Sequence, residues 1–186
     1  MASPTLIEGG FICDGWRVHE APVISSTNLE AAKLPVWEAF RADRQTAGRG
    51  RFQRGWVSDE GGLWLSAVIP NGEYAPALPL VVGLAVCEAL RSVGVKQFRV
   101  RWPNDVLVEN RKLAGLLIDQ FVPGMAVAGI GINVFNHPEA HDPGLKNQTI
   151  RLADLVAEPP DLRRLTQIVL GNLRSVVDQI DRKSVV

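Results

Sequence analysis

The chain has 186 residues, 46% hydrophobic and 22% charged, and its 20 Lys and Arg balance 20 Asp and Glu to a formal net charge of zero. That length and composition predict one globular domain, residues 1–186, able to bury a sizeable core; the zero balance excludes a protein drawn to nucleic acid by its overall field. Only two cysteines occur, Cys13 and Cys87, and no basic segment followed by an apolar run opens the sequence, which predicts a reducing, cytoplasmic setting.

The first helical signal is STNLEAA, with Ser26 or Thr27 as N-cap and Glu30 near the capping-box position. After a basic loop, GGLWLSAVIP reads as a core strand. The longest apolar run, LPLVVGLAVCEALRSVGV from Leu78, is broken by Glu88 and Arg91 and is too short for a bilayer span. It predicts a buried helix ending near Ser92 to Gly94. FRVRWPNDVLVENRKLAGLLIDQ alternates as a hairpin does around a turn at ENRK, and GMAVAGIGINVF reads as another strand. His137 to Gln148 is the longest linker. DLRRLTQIVLGNLRSVVDQI then predicts an amphipathic helix with Asp161 near its start. There is no repeat and no low-complexity tract. Strands outnumber helices, and the mixture predicts an α+β fold.

Five polar stretches carry candidate chemistry. DRQTAGRGRFQRGW sets Arg44, Arg49, Arg51 and Arg54 among Gly48, Gly50 and Gly55, ahead of Trp56. Glycine lets backbone N–H groups approach a ligand while guanidinium forks add charge-assisted hydrogen bonds, which suits a phosphate or a carboxylate. A solvated basic hairpin and a nucleic-acid patch fit the same residues, and the loop alone does not decide. SSTN, Ser25 to Asn28, either caps a helix or turns its hydroxyls to a ligand. RWPND, Arg101 to Asp105, is either a turn or a place where Asn104 and Asp105 hold Mg²⁺ or a ribose. Lys112 in RKLAG is either an ammonium near the core that needs an anion or a lysine snorkelling from a hairpin tip. GIGIN, Gly129 to Asn133, places two glycines in a strand, where they weaken it unless a ligand or another backbone comes close. No helix signal follows, so it is not the dinucleotide fingerprint.

In this order, SSTN, QTAGRGR, WPND, RKLAGLLI and GIGIN together resemble the catalytic domain of biotin protein ligases, from about Trp16 to the C-terminal helix. The resemblance implies a mixed central sheet packed by helices, the class II synthetase-like fold of biotin and lipoate ligases. It implies an ATP-dependent enzyme that makes biotinyl-5′-AMP from biotin and Mg·ATP and passes biotin to a lysine of a biotin carboxyl carrier protein. Carried over by position, Ser26, Thr27, Gln45 and the backbone at Gly48 and Arg49 would hold the ureido head. Trp56 would cover the ligand, with Gly115 at the pocket floor. Arg51 and Arg54 would meet the phosphate, and Lys112 would sit at the reacting carboxylate, so Lys112 and Arg51 are the expected catalytic residues. Asn104 and Asp105 would position the nucleotide or Mg²⁺, with Gly129, Gly131 and Asn133 on the nucleotide side.

The sequence departs from the family pattern at Gln53, where glycine is common, and at Arg101, where lysine is usual. Neither the winged helix of some relatives before Trp16 nor the small β-barrel that usually follows the C-terminal helix is read, so DNA binding is not expected. No membrane partner is expected either, and a homodimer through the sheets is implied. Two other readings stand beside the ligase: a lipoate or octanoate transferase of the same broader fold, and a non-catalytic biotin-binding relic.

Overall fold

The computed structural model describes residues 10–72 and 75–183. Residues 1–9, where the sequence shows no basic segment followed by an apolar run, lie outside them. Eight strands form one sheet: β1 (Phe11–Cys13), β2 (Trp16–Ile24), β3 (Glu38–Gln45), β4 (Leu63–Pro70), β5 (Arg99–Arg101), β6 (Asp105–Val108), β7 (Arg111–Val122) and β8 (Met125–Ile132). Their order across the sheet is β1-β2-β3-β4-β8-β7-β6-β5. β2 and β3 run parallel and the other neighbours antiparallel. The segment expected as one hairpin after the helix is three strands, because the WPND turn separates β5 from β6. The turn expected at ENRK is made by Glu109 and Asn110, both left-handed at φ 50° and 64°, the pairing that a two-residue hairpin requires.

Two helices cover one face of the sheet. α2 (Leu78–Ser92) buries Leu78, Val81, Val82, Ala85, Val86, Ala89 and Leu90, and α3 (Leu162–Lys183) buries Leu165, Val169, Leu170, Leu173 and Val177. These are helical spacings, and each such side chain contributes roughly 1.5–3 kcal/mol by leaving water. Ala75–Ser92 is long and apolar enough to cross a membrane by composition, yet half of it is buried within the fold, where its apolar face forms core with the sheet and α3. Asp161 caps α3 as expected, its Oδ1 accepting from Arg164 N at 2.7 Å. Trp16 Nε1 donates to the Leu170 carbonyl at 3.0 Å and ties β2 to α3. Both cysteines are free.

The opposite face carries the short α1 (Thr27–Ala31) and a small apolar cluster of Ala31, Leu34, Val68 and Val127. The rest of that face is open for a site. Ser26 is the N-cap residue of α1, extended at φ −157°, but its side chain makes no capping bond. Gln45 takes over that role from β3, its Oε1 accepting from Thr27 N at 2.7 Å.

Candidate active site

Strand register lays out the open face in rows. Trp64 pairs with Gly131, Gly131 with Gly115 and Gly115 with Asp105; one step along, Ser66 pairs with Gly129 and Gly129 with Leu117. Glycine is needed in these rows because something lies on them. A Cβ at Gly115 would stand 2.8 Å from Trp56 Cζ3, one at Gly131 2.9 Å from Trp56 Nε1, and one at Gly129 2.4 Å from Asn28 Oδ1. The Trp56 indole therefore rests on the Gly115–Gly131 pair, edge-on to Trp64 with ring centroids 6.3 Å apart.

The basic segment between β3 and β4 is a small hairpin. Arg49 bridges Gly55, Gly50 N donates to the Arg54 carbonyl at 2.8 Å, and Trp56 N donates to the Gly48 carbonyl at 2.9 Å. Its tip, Arg51–Gln53, is a short 3₁₀ turn with Phe52 left-handed at φ 56° and 80% exposed. From that tip Arg51 Nη1 donates to Asn104 Oδ1 at 2.9 Å, so the hairpin reaches across to the WPND turn. Asn104 is held in turn by its Nδ2 donating to the Leu116 carbonyl at 2.8 Å.

Lys112 reaches this face through a bulge. Asp105 pairs with Gly115 but Leu107 pairs with Lys112, with a register shift between Val106 and Leu107. Leu113 and Ala114 both go to the core, so Lys112 shares a face with Gly115 where strict alternation would have turned it away. Its ammonium lies 2.7 Å from Asp105 Oδ1 and 4.6 Å from the Trp56 ring centroid. Arg101 binds the other carboxylate oxygen at 2.5 Å. Burial on its own would raise the Asp105 pKa, but the hydrogen bonds and charges of Lys112 and Arg101 outweigh it and hold the carboxyl below its ordinary 3.8.

One cavity of about 340 Å³ gathers these groups: Ser26, Thr27, Asn28 and Gln45 at one end, and Arg49, Arg51, Arg54, Lys112, Asn104 and Asp105 around the other. The profile of the Biotin/lipoate A/B protein ligase family matches residues 21–135, which is more than half of the chain and holds every one of these residues. The chain belongs to the biotin/lipoate A/B protein ligase family. It is 32% identical over 161 residues to the bifunctional ligase/repressor BirA of Bacillus subtilis, covering 80% of this chain and 50% of that protein. It is 33% identical over 182 residues to the biotin–acetyl-CoA-carboxylase ligase of Mycobacterium tuberculosis, covering 89% and 66%. The biotin protein ligase of Aquifex aeolicus in complex with biotin and ATP superposes with a TM-score of 0.80 at 31% identity, covering 89% of this chain and 72% of that one. The chain spans about half the length of the BirA relative.

The expected site residues fall around this one cavity. Every expected site residue lines it except Gly48. Gly48 is packed at its Cα, where a Cβ would stand 2.4 Å from Ser58 Oγ and 2.5 Å from the Trp56 carbonyl, so this turn of the hairpin takes no side chain. Trp56, expected to cover the ligand, lies against the sheet. Gly129, expected toward the nucleotide, lies beneath Asn28 at the opposite, polar end. Asn133 is 2% exposed and occupied with protein: its Nδ2 donates to the Lys112 carbonyl at 3.2 Å and its Oδ1 accepts from Asn136 at 3.0 Å. Asp105 does not fit an Mg²⁺ ligand, since two cations already hold it and it is the one acidic side chain among the described residues that line the cavity. No cluster of three or more His, Cys, Asp or Glu suited to a metal occurs among the described residues.

Other lining residues were not anticipated. Phe52 and Trp102, 80% and 58% exposed, add aromatic surface beside the arginines, and Asn28, Leu117, Leu145 and Thr149 are among the other lining residues. Asn28 stood inside the SSTN motif. Leu145 and Thr149 come from the long loop before α3 and have no signal of their own.

Proposed function

We propose that this chain is a biotin–protein ligase, joining biotin to ATP as biotinyl-5′-adenylate and then to the ε-amine of a lysine on a carrier-protein domain. The observation that carries this reading is the division of one cavity into a wall of short uncharged polar side chains and a cationic end. The first suits a cyclic urea; the second suits a carboxylate and a triphosphate. Ser26, Thr27 and Gln45 hold the ureido ring, and Trp56 on its glycine pair packs against the ligand's apolar part. Lys112 donates to the biotin carboxylate as its oxygen bonds to the α-phosphorus and pyrophosphate leaves. Arg51 and Arg54 offset the phosphate charge, and fixed donors of this kind are worth roughly 10²–10³ in rate. The carrier amine then attacks the acyl carbon, forming the amide and releasing AMP and a proton.

Mg²⁺ enters this scheme on the triphosphate, since the cavity's one carboxylate is paired to Lys112 and Arg101. Two free thiols agree with a reducing, cytoplasmic setting. A second copy pairing through the sheet belongs to the same proposal, and sedimentation of the purified chain tests it. The central experiment incubates the chain with Mg·ATP and either biotin or lipoate, following pyrophosphate release and transfer to a carrier domain. Turnover with biotin is expected. Turnover with lipoate alone would replace the biotin reading with the transferase one, and binding without turnover would make the chain a non-catalytic biotin-binding protein.

A further inference from the structure

Behind the polar wall of the cavity stand Ser66 on β4 and Asp119 on β7, neither of which lines it. Asn28 Nδ2 donates to Asp119 Oδ2 at 2.7 Å. Ser66 Oγ lies 2.5 Å from Asn28 Oδ1 and 2.7 Å from Thr27 Oγ1. Thr27 Oγ1 lies 3.0 Å from Gln45 Oε1, the oxygen that also accepts from Thr27 N. The orientation of Gln45 is fixed independently, because its Nε2 donates to Ser58 Oγ at 2.9 Å and Ser58 donates to the Trp56 carbonyl at 3.0 Å.

Counting protons along this chain leaves a deficit. An ionised carboxylate only accepts, so Asn28 must present its nitrogen to Asp119 and its oxygen to Ser66. Ser66 has one proton, and it goes to that oxygen. The short contact between Ser66 and Thr27 then takes the Thr27 proton, and none remains for Thr27 Oγ1 and Gln45 Oε1. Three oxygen–oxygen contacts share two hydroxyl protons, and the unfilled one is the longest of the three and faces the cavity. The bare backbone of Gly129 beneath Asn28 is what lets the amide lie in this line.

We propose that Asp119 is a positioning residue that, through Asn28 and Ser66, fixes this end of the cavity as an acceptor pair selecting a ligand ring with N–H donors. The proposal rests on the biotin reading and deepens it. A cyclic urea brings N–H groups that supply the missing proton; a dithiolane ring brings none. Without the carboxylate, Asn28 is free to rotate and offer its nitrogen to Ser66. The hydroxyl protons then run the other way, Thr27 satisfies Gln45 itself, and the wall no longer calls for a donor.

Titration calorimetry with biotin, lipoate and ATP on the parent, Asp119→Ala and Asp119→Asn, with melting temperatures alongside, tests this. Asp119→Ala is expected to weaken biotin about tenfold or more, the worth of one hydrogen bond, while ATP affinity, melting temperature and any lipoate binding hold. Asp119→Asn, which keeps an acceptor oxygen for Asn28, is expected to recover part of that loss. Parent protein that binds no biotin overturns the biotin reading and this proposal with it. Parent protein that binds biotin while Asp119→Ala binds it equally well overturns the proposal alone. A loss shared by biotin and ATP, or one with no recovery in Asp119→Asn, makes Asp119 a packing residue and also overturns it.

Discussion

Lys112 and Asp105 face each other at 2.7 Å only because the β6–β7 pairing slips by one residue between them. Asp105 holds the ammonium in place over Trp56, and a biotin carboxylate in the proposed site would compete for the same donor. Lys112→Ala is therefore expected to cut adenylate formation about a hundredfold or more, the range for losing one charge-stabilising donor, and to change biotin binding far less. Pyrophosphate release at the parental rate would remove Lys112 from the chemistry.

The same pair sets a pH expectation. The folded-state pKa of Asp105 is depressed, so its contribution to stability is complete above the ordinary aspartate value of 3.8 and is lost as pH falls through the lower folded value. Asp105→Asn should leave stability at pH 3 closer to that of the parent than it is at pH 7. Denaturant titrations of both proteins at the two pH values measure the difference, and an equal gap at both would contradict it.

Gly115→Ala and Gly131→Ala test the seat of Trp56. Each added Cβ would come within 3.0 Å of the indole, and the neighbours on the sheet are backbone and packed side chains that give little. The ring should lift into the cavity, lowering biotin affinity and shifting tryptophan emission. Unchanged emission and affinity in both variants would show that the indole is not held there.

What the sequence disclosed divides along physical lines. β4, β8, α2 and α3 are legible because their apolar residues run continuously or at helical spacing. β2 and β3 are not, since Glu20, Arg41 and Asp43 interrupt the apolar pattern; Arg41 pairs with Glu20 across the two strands and with Asp43 along its own, at 2.6 Å each. The site motifs were visible because they concentrate glycine, arginine and amide residues. Ser66 and Asp119 were not, for they look like ordinary strand residues and meet Asn28 from 38 and 91 positions away. Lys112 could be singled out, but the bulge that aims it had no signal in RKLAG.

The Cys87 thiol is buried on α2, and burial is the main cause that pushes its pKa up to about 11, against the opposing charge of Arg91. In the native protein it should resist iodoacetamide at pH 8 and react once the chain is unfolded in guanidinium. Rapid native labelling, read by mass spectrometry, would contradict that placement.

Arg51 gives the last expectation. Its guanidinium holds the tip of the basic hairpin to Asn104 at 2.9 Å and lies 4.8 Å from the Phe52 ring centroid, so one side chain links the hairpin to the WPND turn across the cavity. An adenylate in the proposed site would meet that guanidinium with its phosphate, a charge-assisted contact stronger than the neutral one to Asn104. The hairpin tip would then be held by the intermediate itself. Arg51→Ala removes both the contact with the adenylate and the strap, and it leaves the polar wall at Thr27 and Gln45 untouched. Biotin affinity should therefore hold, while release of biotinyl-5′-adenylate speeds up roughly tenfold to a hundredfold, the worth of one charge-assisted hydrogen bond. Escaped adenylate acylates any amine it meets, so the variant, given biotin, Mg·ATP and a bystander protein, should label the bystander where the parent labels its carrier. Equal bystander labelling and equal release rates in the two proteins would show that Arg51 does not retain the intermediate.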